Sequence, residues 1–443
     1  MAHIECNFDK TLGAVKAMHA IGQPPMLGIN DEYFSYISNA SMPYSRLHDM
    51  GGAYGGNVFV DIPNIFRDFD ADETLPESYD FAFTDVLIAS LMKHNCEPIY
   101  RLGVTIENNH HIKAYNIYPP KDFEKWARIC EHIIRHYNEG WANGFHYNIT
   151  YWEVWNAPDN NLGDLNNMWL GSVEEFCNLY VVTSKHLKNC FGDSIKIGGY
   201  AASGFYNIFV NPEKHSVKKP PEELPEWFAD DRCEAMVDFL YTFLESCNKN
   251  NAPLDFFSWH NYARNPKFCI GMADFVDNML KKYGYPNCES MINEWNNAPN
   301  FRASSIASSY AAAFMCAMHT TSVNIMCYYD ARIGHSDWAG LFNPITKEPF
   351  CTYYPFLCFG EMYRMGTCTE SITDTDNLYV FSAKGNGQKA VMAANINNYD
   401  LEITTNLDSD MCVYIIDEKN MYIKTNLNPK RFTLKAYQTA YIK

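Results

Sequence analysis

The chain has 443 residues, 47% of them hydrophobic and 15% aromatic, which excludes a disordered chain and allows a large buried core. Its formal net charge of −17 argues against nucleic acid and anionic membranes as partners, since neither attracts an acidic surface. The fifteen cysteines form no CxxC pair, and many sit inside apolar runs (Cys316, Cys327, Cys358). They read as small buried hydrophobes of a reducing compartment, not as a disulfide or zinc framework. The amino terminus, MAHIECNFDK, carries no cationic apolar leader, and no run approaches a membrane span, so a cytoplasmic protein is expected.

Residues 1–14 read as a stray strand, HIECNF, ahead of any repeat. From Pro24 a strand-then-helix rhythm begins, with PMLGIND (25–31) and YSRLHDM (44–50) as the first two expected strands. A helix over 81–95, the strand EPIYRLGV (97–104) and a helix over 122–137, opened by Pro119-Pro120, continue it. YWEVWNAPD (151–159) is a fourth strand by its ring and β-branched content and its proline stop, followed by a helix over 173–190. KIGGYA (196–201) is the fifth; a Pro- and Lys-rich insertion, about 211–226, precedes a helix over 233–248. DFFSWHNYA (255–263), a helix over 272–283, SMINEWNN (290–297), a helix over 303–320, NIMCYYDARIG (324–334) and a helix over 353–365 close the cycle.

Eight strands alternating with helices imply a parallel closed (β/α)8 TIM barrel, placed over 15–365. After Gly366 the helical period disappears. NLYVFSAK, QKAVMAANIN, LEITTNL, MCVYIID and RFTLKAYQTAYIK are short strands between turn residues, expected to form a small antiparallel β-sandwich over 366–443 with strand 1–14 as its partner.

The chemistry gathers at the carboxyl ends of the barrel strands, where such barrels keep their active sites. Glu294 in SMINEWNN shares a strand face with Ile292 and Asn296, and a carboxylate there is costly unless used or paired. His260 and Tyr262 share a face on the sixth strand, and Arg46 and His48 on the second. Trp295 and Trp338 are candidate stacking platforms or packing residues. His110 and His111 with Glu107 make a poor metal set, so no metal is expected.

YWEVWNAPD resembles the WNEPD signature of clan A glycoside hydrolases, family 39 in particular, and INEWN resembles the seventh-strand nucleophile motif of the same family. The resemblance implies a retaining, exo-acting glycoside hydrolase, β-xylosidase or α-L-arabinosidase-like, working by double displacement on oligosaccharides or glycosides without a cofactor. Glu294 is then the nucleophile. Asn156 holds the sugar 2-hydroxyl, His260 and Tyr262 line the subsite of the attacked sugar with Tyr262 steadying the nucleophile, and His48 contacts the sugar. The family's catalytic acid/base falls on Ala157, where a glutamic acid is expected.

Retaining glycosidases need two carboxyl groups about 5–5.5 Å apart. Glu153, four residues below position 157 and about 13 Å down the strand, is too far to substitute and reads as a buried partner of Arg46 or Arg101. Asp159 follows a proline and points out of register. The simplest account is an engineered acid/base knockout, and hence an inactivated variant. Two alternatives stay open: a non-catalytic carbohydrate-binding barrel with native Ala157, or another clan A glycosidase, an endo-glucanase or an α-L-iduronidase-like enzyme. For the last, Arg264 and Arg302 are the candidate cations for a uronic carboxylate. Assembly into a homo-oligomer also stays open.

Overall fold

The computed structural model describes residues 1–25, 32–49, 60–107, 116–220, 222–296, 299–333, 338 and 340–443. Eight strands close a barrel in chain order, parallel at every pair: β2 (Ala17–Gly22), β3 (Tyr44–Leu47), β4 (Glu97–Leu102), β5 (Tyr151–Val154), β6 (Lys196–Ala202), β7 (Phe256–Asn261), β8 (Glu289–Trp295) and β9 (Val323–Tyr328). The expected strand 25–31 is not the first of them. The barrel opens eight residues earlier, at Ala17, because that segment pairs with β3 on one side and β9 on the other; positions 26–31 lie outside the described residues.

The strands are nearly all buried because helices cover their outer faces. The expected helices appear as Ala82–Lys93, Phe123–Glu139, Val173–Phe191, Asp231–Lys249, Pro266–Lys282, Ser305–His319 and Tyr353–Met365. Val173–Phe191 begins at a capping box, in which Ser172 and Glu175 satisfy each other's backbone N–H groups. Pro266–Lys282 starts six residues before the expected 272, since Asn265 caps it and Pro266 occupies its first turn. In the fifth strand, glycine is required by contact: a β-carbon on Gly198 would lie 2.1 Å from the carbonyl oxygen of Phe256 on β7.

The other strands are β1 (Ala2–Ala14), β10 (Thr367–Thr373), β11 (Leu378–Gly385), β12 (Gln388–Asn395), β13 (Leu401–Thr405), β14 (Val413–Ile416), β15 (Met421–Lys424), β16 (Arg431–Leu434) and β17 (Thr439–Ile442). Where an antiparallel sandwich was expected, they hydrogen-bond in one continuous sheet, in the order β15-β14-β17-β12-β11-β10-β1-β13-β16. The amino-terminal strand is an interior strand of it, third from one edge, antiparallel to β10 and parallel to β13. The last expected strand, RFTLKAYQTAYIK, is two, broken at 435–438, and β10 and β15 were not anticipated.

One face of this sheet has its own core, with Ile4, Val391, Ile403, Ile415 and Phe432, and the other joins the barrel core. At that seam Phe381 packs at a tilt against His319 (4.5 Å between ring centroids) and stacks on Phe359 (5.1 Å), residues of two barrel helices. All fifteen cysteines are free thiols, twelve of them buried. Among the described residues no helix is long and apolar enough to cross a membrane. Replacing Phe381 by Ala should cost about 3–5 kcal/mol by loss of burial and the cavity left behind. Urea denaturation checks this, and an unmoved transition would show that the seam adds nothing.

Candidate active site

The carboxyl ends of the barrel strands surround a cavity of about 390 Å³. His48 and Asp49 reach it just beyond β3, Asn156 and Ala157 beyond β5, His260 and Tyr262 from the end of β7, Glu294 from β8 and Tyr329 from beyond β9. Trp338 lines it from a loop and is 36% exposed. The structure therefore brings seven of the eight expected residues together, with Ala157 and Glu294 on one cavity.

Trp295 is the exception. It follows Glu294 on the strand, so it points away from the barrel axis, is fully buried, and packs on Phe314, Tyr328 and Phe356. It is a core residue and not a sugar platform. Arg264 lies over the Phe301 ring, and neither it nor Arg302 lines the cavity. His110 and His111 lie outside the described residues.

Arg46 organises the floor. Its Nε donates to Glu153 Oε2 (2.7 Å), its Nη2 to Asn156 Oδ1 (2.6 Å) and its Nη1 to Glu294 Oε2 (3.2 Å). Of the two partners expected for Glu153, Arg46 is the one it takes; Arg101 pairs with Asp61. Burial works against the Arg46 charge, but Glu153 and Glu294 outweigh it and hold the guanidinium more firmly protonated than usual.

Burial pushes the Glu294 carboxyl up, and the Arg46 charge and the Tyr262 phenol pull it back. Tyr262 donates to Glu294 Oε1. Burial likewise pushes the imidazoles of His48 and His260 well down, with Arg46 adding to the effect, so both are neutral at neutral pH. His260 Nε2 lies 3.5 Å from Glu294 Oε2 without a hydrogen bond, and His48 Nδ1 is also unpartnered among the described residues. Neutral, buried ring nitrogens without partners suit hydroxyl groups of a ligand.

β5 stops at Val154, and Trp155 and Ala157 take φ of +68° and +42°, so strand alternation does not run on to position 157. That is how Asn156 and Ala157, consecutive residues, both line the cavity. The Ala157 N–H is shared between the carbonyls of Tyr200 (3.1 Å) and Ala201 (3.0 Å). Asp159 turns away: it accepts from the Ser203 N–H (3.0 Å) and hydroxyl (2.8 Å) and faces a neighbouring cleft.

Sequence reasoning missed Asp49, Tyr329 and the wall of Ser203, Tyr206, Trp227, Arg232 and Met236. Asp49 directly follows His48 at a strand end, which was a usable signal. It accepts from the Ile106 N–H (3.2 Å) and the Tyr329 hydroxyl (3.0 Å), and burial, reinforced by Glu294, pushes it up to about 6. With both oxygens engaged by the protein, Asp49 is a fixed part of the wall.

A barrel whose strand ends converge on a buried, arginine-braced carboxylate has that group where enzymes of this fold keep their chemistry. The chain matches the model for glycosyl hydrolases family 39 over residues 53–330, more than half its length, and it belongs to that family. It is 26% identical over 301 residues to a β-xylosidase of Caldicellulosiruptor saccharolyticus, covering 63% of this chain and 52% of that one. A β-xylosidase of Geobacillus stearothermophilus is 25% identical over 218 residues, covering 47% and 36%. The chain thus spans about half the length of the first relative and less of the second.

Among solved structures, a glucosidase from Croceicoccus marinus superposes with a TM-score of 0.75 at 17% identity, covering 100% of this chain and 98% of that one. A monomeric β-xylosidase from Caulobacter crescentus gives 0.68 at 14% identity, covering 100% and 99%. At these identities the superpositions speak for the fold.

Burial pushes Asp159 up to about 7 against an ordinary value near 3.8. A carboxyl with a raised folded-state pKa binds protons more tightly folded than unfolded, so it costs stability as pH climbs from about 4 to 7. Asp159→Asn should therefore gain stability over the parent at pH 8 and lose most of that gain at pH 4. Paired thermal melts check this, and a pH-independent difference would contradict it.

Proposed function

We propose that this chain is a retaining, exo-acting glycosidase of the β-xylosidase or α-L-arabinosidase kind, impaired in proton donation at position 157. The reading rests on one observation: Glu294 is a buried carboxylate held at two sides by Arg46 and Tyr262, on the cavity that Ala157 also lines. Arg46 and Tyr262 oppose the upward push of burial on that carboxylate and aim it, as an attacking group requires. Glu294 forms the bond to the anomeric carbon as the aglycone leaves, and water then cleaves the glycosyl ester. Asn156, fixed by Arg46, is placed for the 2-hydroxyl, and His48 and His260 for further hydroxyls of the same sugar. The resemblance to xylosidases supports a neutral pentose as the attacked unit, and the free buried thiols support a cytoplasmic setting.

With a methyl at 157 that position supplies no proton to the leaving oxygen, so turnover should favour leaving groups that need none. A glutamic acid is the expected residue of an active form. Ala157→Glu should raise hydrolysis of unactivated glycosides by about 10²-fold or more, with little gain on dinitrophenyl glycosides. Equal rates before and after on both substrates would remove the acid/base assignment.

Tyr262→Phe removes the hydrogen bond that holds the Glu294 proton affinity down, so Glu294 should titrate higher. The acid limb of the pH profile for Glu294 modification by an activated 2-fluoro glycoside should move to higher pH, and an unmoved limb would show that the phenol does not tune the nucleophile. Ala157 itself favours a second reading, a barrel that binds sugar without cleaving it. Binding of sugar without covalent modification of Glu294 by the activated glycoside would select that reading.

A further inference from the structure

The wall beside Ala157 is built by one stretch of chain. Ser203 and Tyr206 follow β6, Trp227 sits in the turn Glu226–Ala229, and Arg232 and Met236 open the helix Asp231–Lys249. Tyr206 locks this wall to the catalytic side: its hydroxyl accepts from the Tyr262 N–H (2.9 Å), and its ring packs edge-on to Trp227 (4.5 Å).

Arg232 is the charged member of this wall, and its situation differs from that of other arginines near the barrel mouth. Arg46 is paired with Glu153, Arg101 with Asp61, and Arg332 with Asp330. Arg232 has no carboxylate within ion-pair distance among the described residues. Its electrostatic neighbours are the Cys233 thiol, the Tyr206 phenol and Asp159, whose carboxylate is already taken by Ser203. The cavity is therefore polarised, with Glu294 and Asp49 among one set of strand ends and a spare guanidinium beside position 157. In a chain of net charge −17, such a local cation is what an acidic ligand requires.

We propose that this wall recognises a carboxylate on the leaving-group side of the scissile bond. The ligand is then an acidic oligosaccharide whose aglycone residue is a uronic acid. Arg232 pairs with its carboxylate in the bidentate manner a guanidinium allows, and Trp227 offers a face to the sugar ring. The proposal rests on the glycosidase reading, because Glu294 as nucleophile defines which side is the leaving-group side.

Two disaccharides that differ only at one carbon test it: xylosyl-β-1,4-glucuronic acid and xylosyl-β-1,4-glucose, titrated calorimetrically into the parent chain, Arg232→Met and Arg232→Lys. The parent should bind the acid about tenfold or more tightly than the neutral sugar, as one charged hydrogen-bonded pair provides. Arg232→Met should bring the affinity ratio to about one, Arg232→Lys should keep part of it, and added salt should shrink it in the parent. Equal affinities in the parent, a ratio that survives Arg232→Met, or binding of neither sugar would each overturn the proposal. Covalent modification of Glu294 by an activated 2-fluoro xyloside, measured by mass in the same preparations, judges the glycosidase reading separately.

Discussion

One guanidinium underlies the site. Arg46 is almost completely buried, and a lone charge there would cost several kcal/mol. Glu153 offsets that cost from below, which frees Arg46 to present its remaining N–H groups upward to Asn156 and Glu294. The same cation thus sets the orientation of an amide at the end of one strand and the ionisation of a carboxylate on another. Three barrel strands that are distant in sequence are brought into register by charge as well as by their backbone ladder.

The barrel was legible because parallel strands covered on both faces leave apolar runs, and helices of period 3.6 separate them. It failed at its first strand. AMHAIG is short and poor in β-branched residues, and its strand character comes from the two neighbours that close the barrel, which no local pattern reveals. Likewise β15, MYIK, is a largely exposed edge strand that among the described residues pairs with β14 alone, so it lacks the alternation of apolar and polar residues that marks a half-buried strand. The amino-terminal strand was correctly taken out of the barrel, since HIECNF precedes the first helix-bearing unit.

For the site, residues on strands or one step past them were readable from alternation and motif. Glu294, His260, Tyr262, His48 and Asn156 meet where strand ends must meet. The same alternation should have excluded Trp295, whose neighbour faces inward; the appeal of an indole near a sugar overrode the geometry. Arg232 and Trp227 were beyond reach. Their place on the cavity depends on how a proline-rich insertion folds back over β6, and that path is decided by packing of Tyr206, Trp227 and Phe228 far from any repeat.

The main chain at position 157 is moored by its own N–H to two carbonyls of the neighbouring strand, and its side chain takes no part in that mooring. The left-handed turn at this corner, with φ of +42°, is therefore held by the adjoining strand's carbonyls and not by the methyl that residue 157 turns to the cavity.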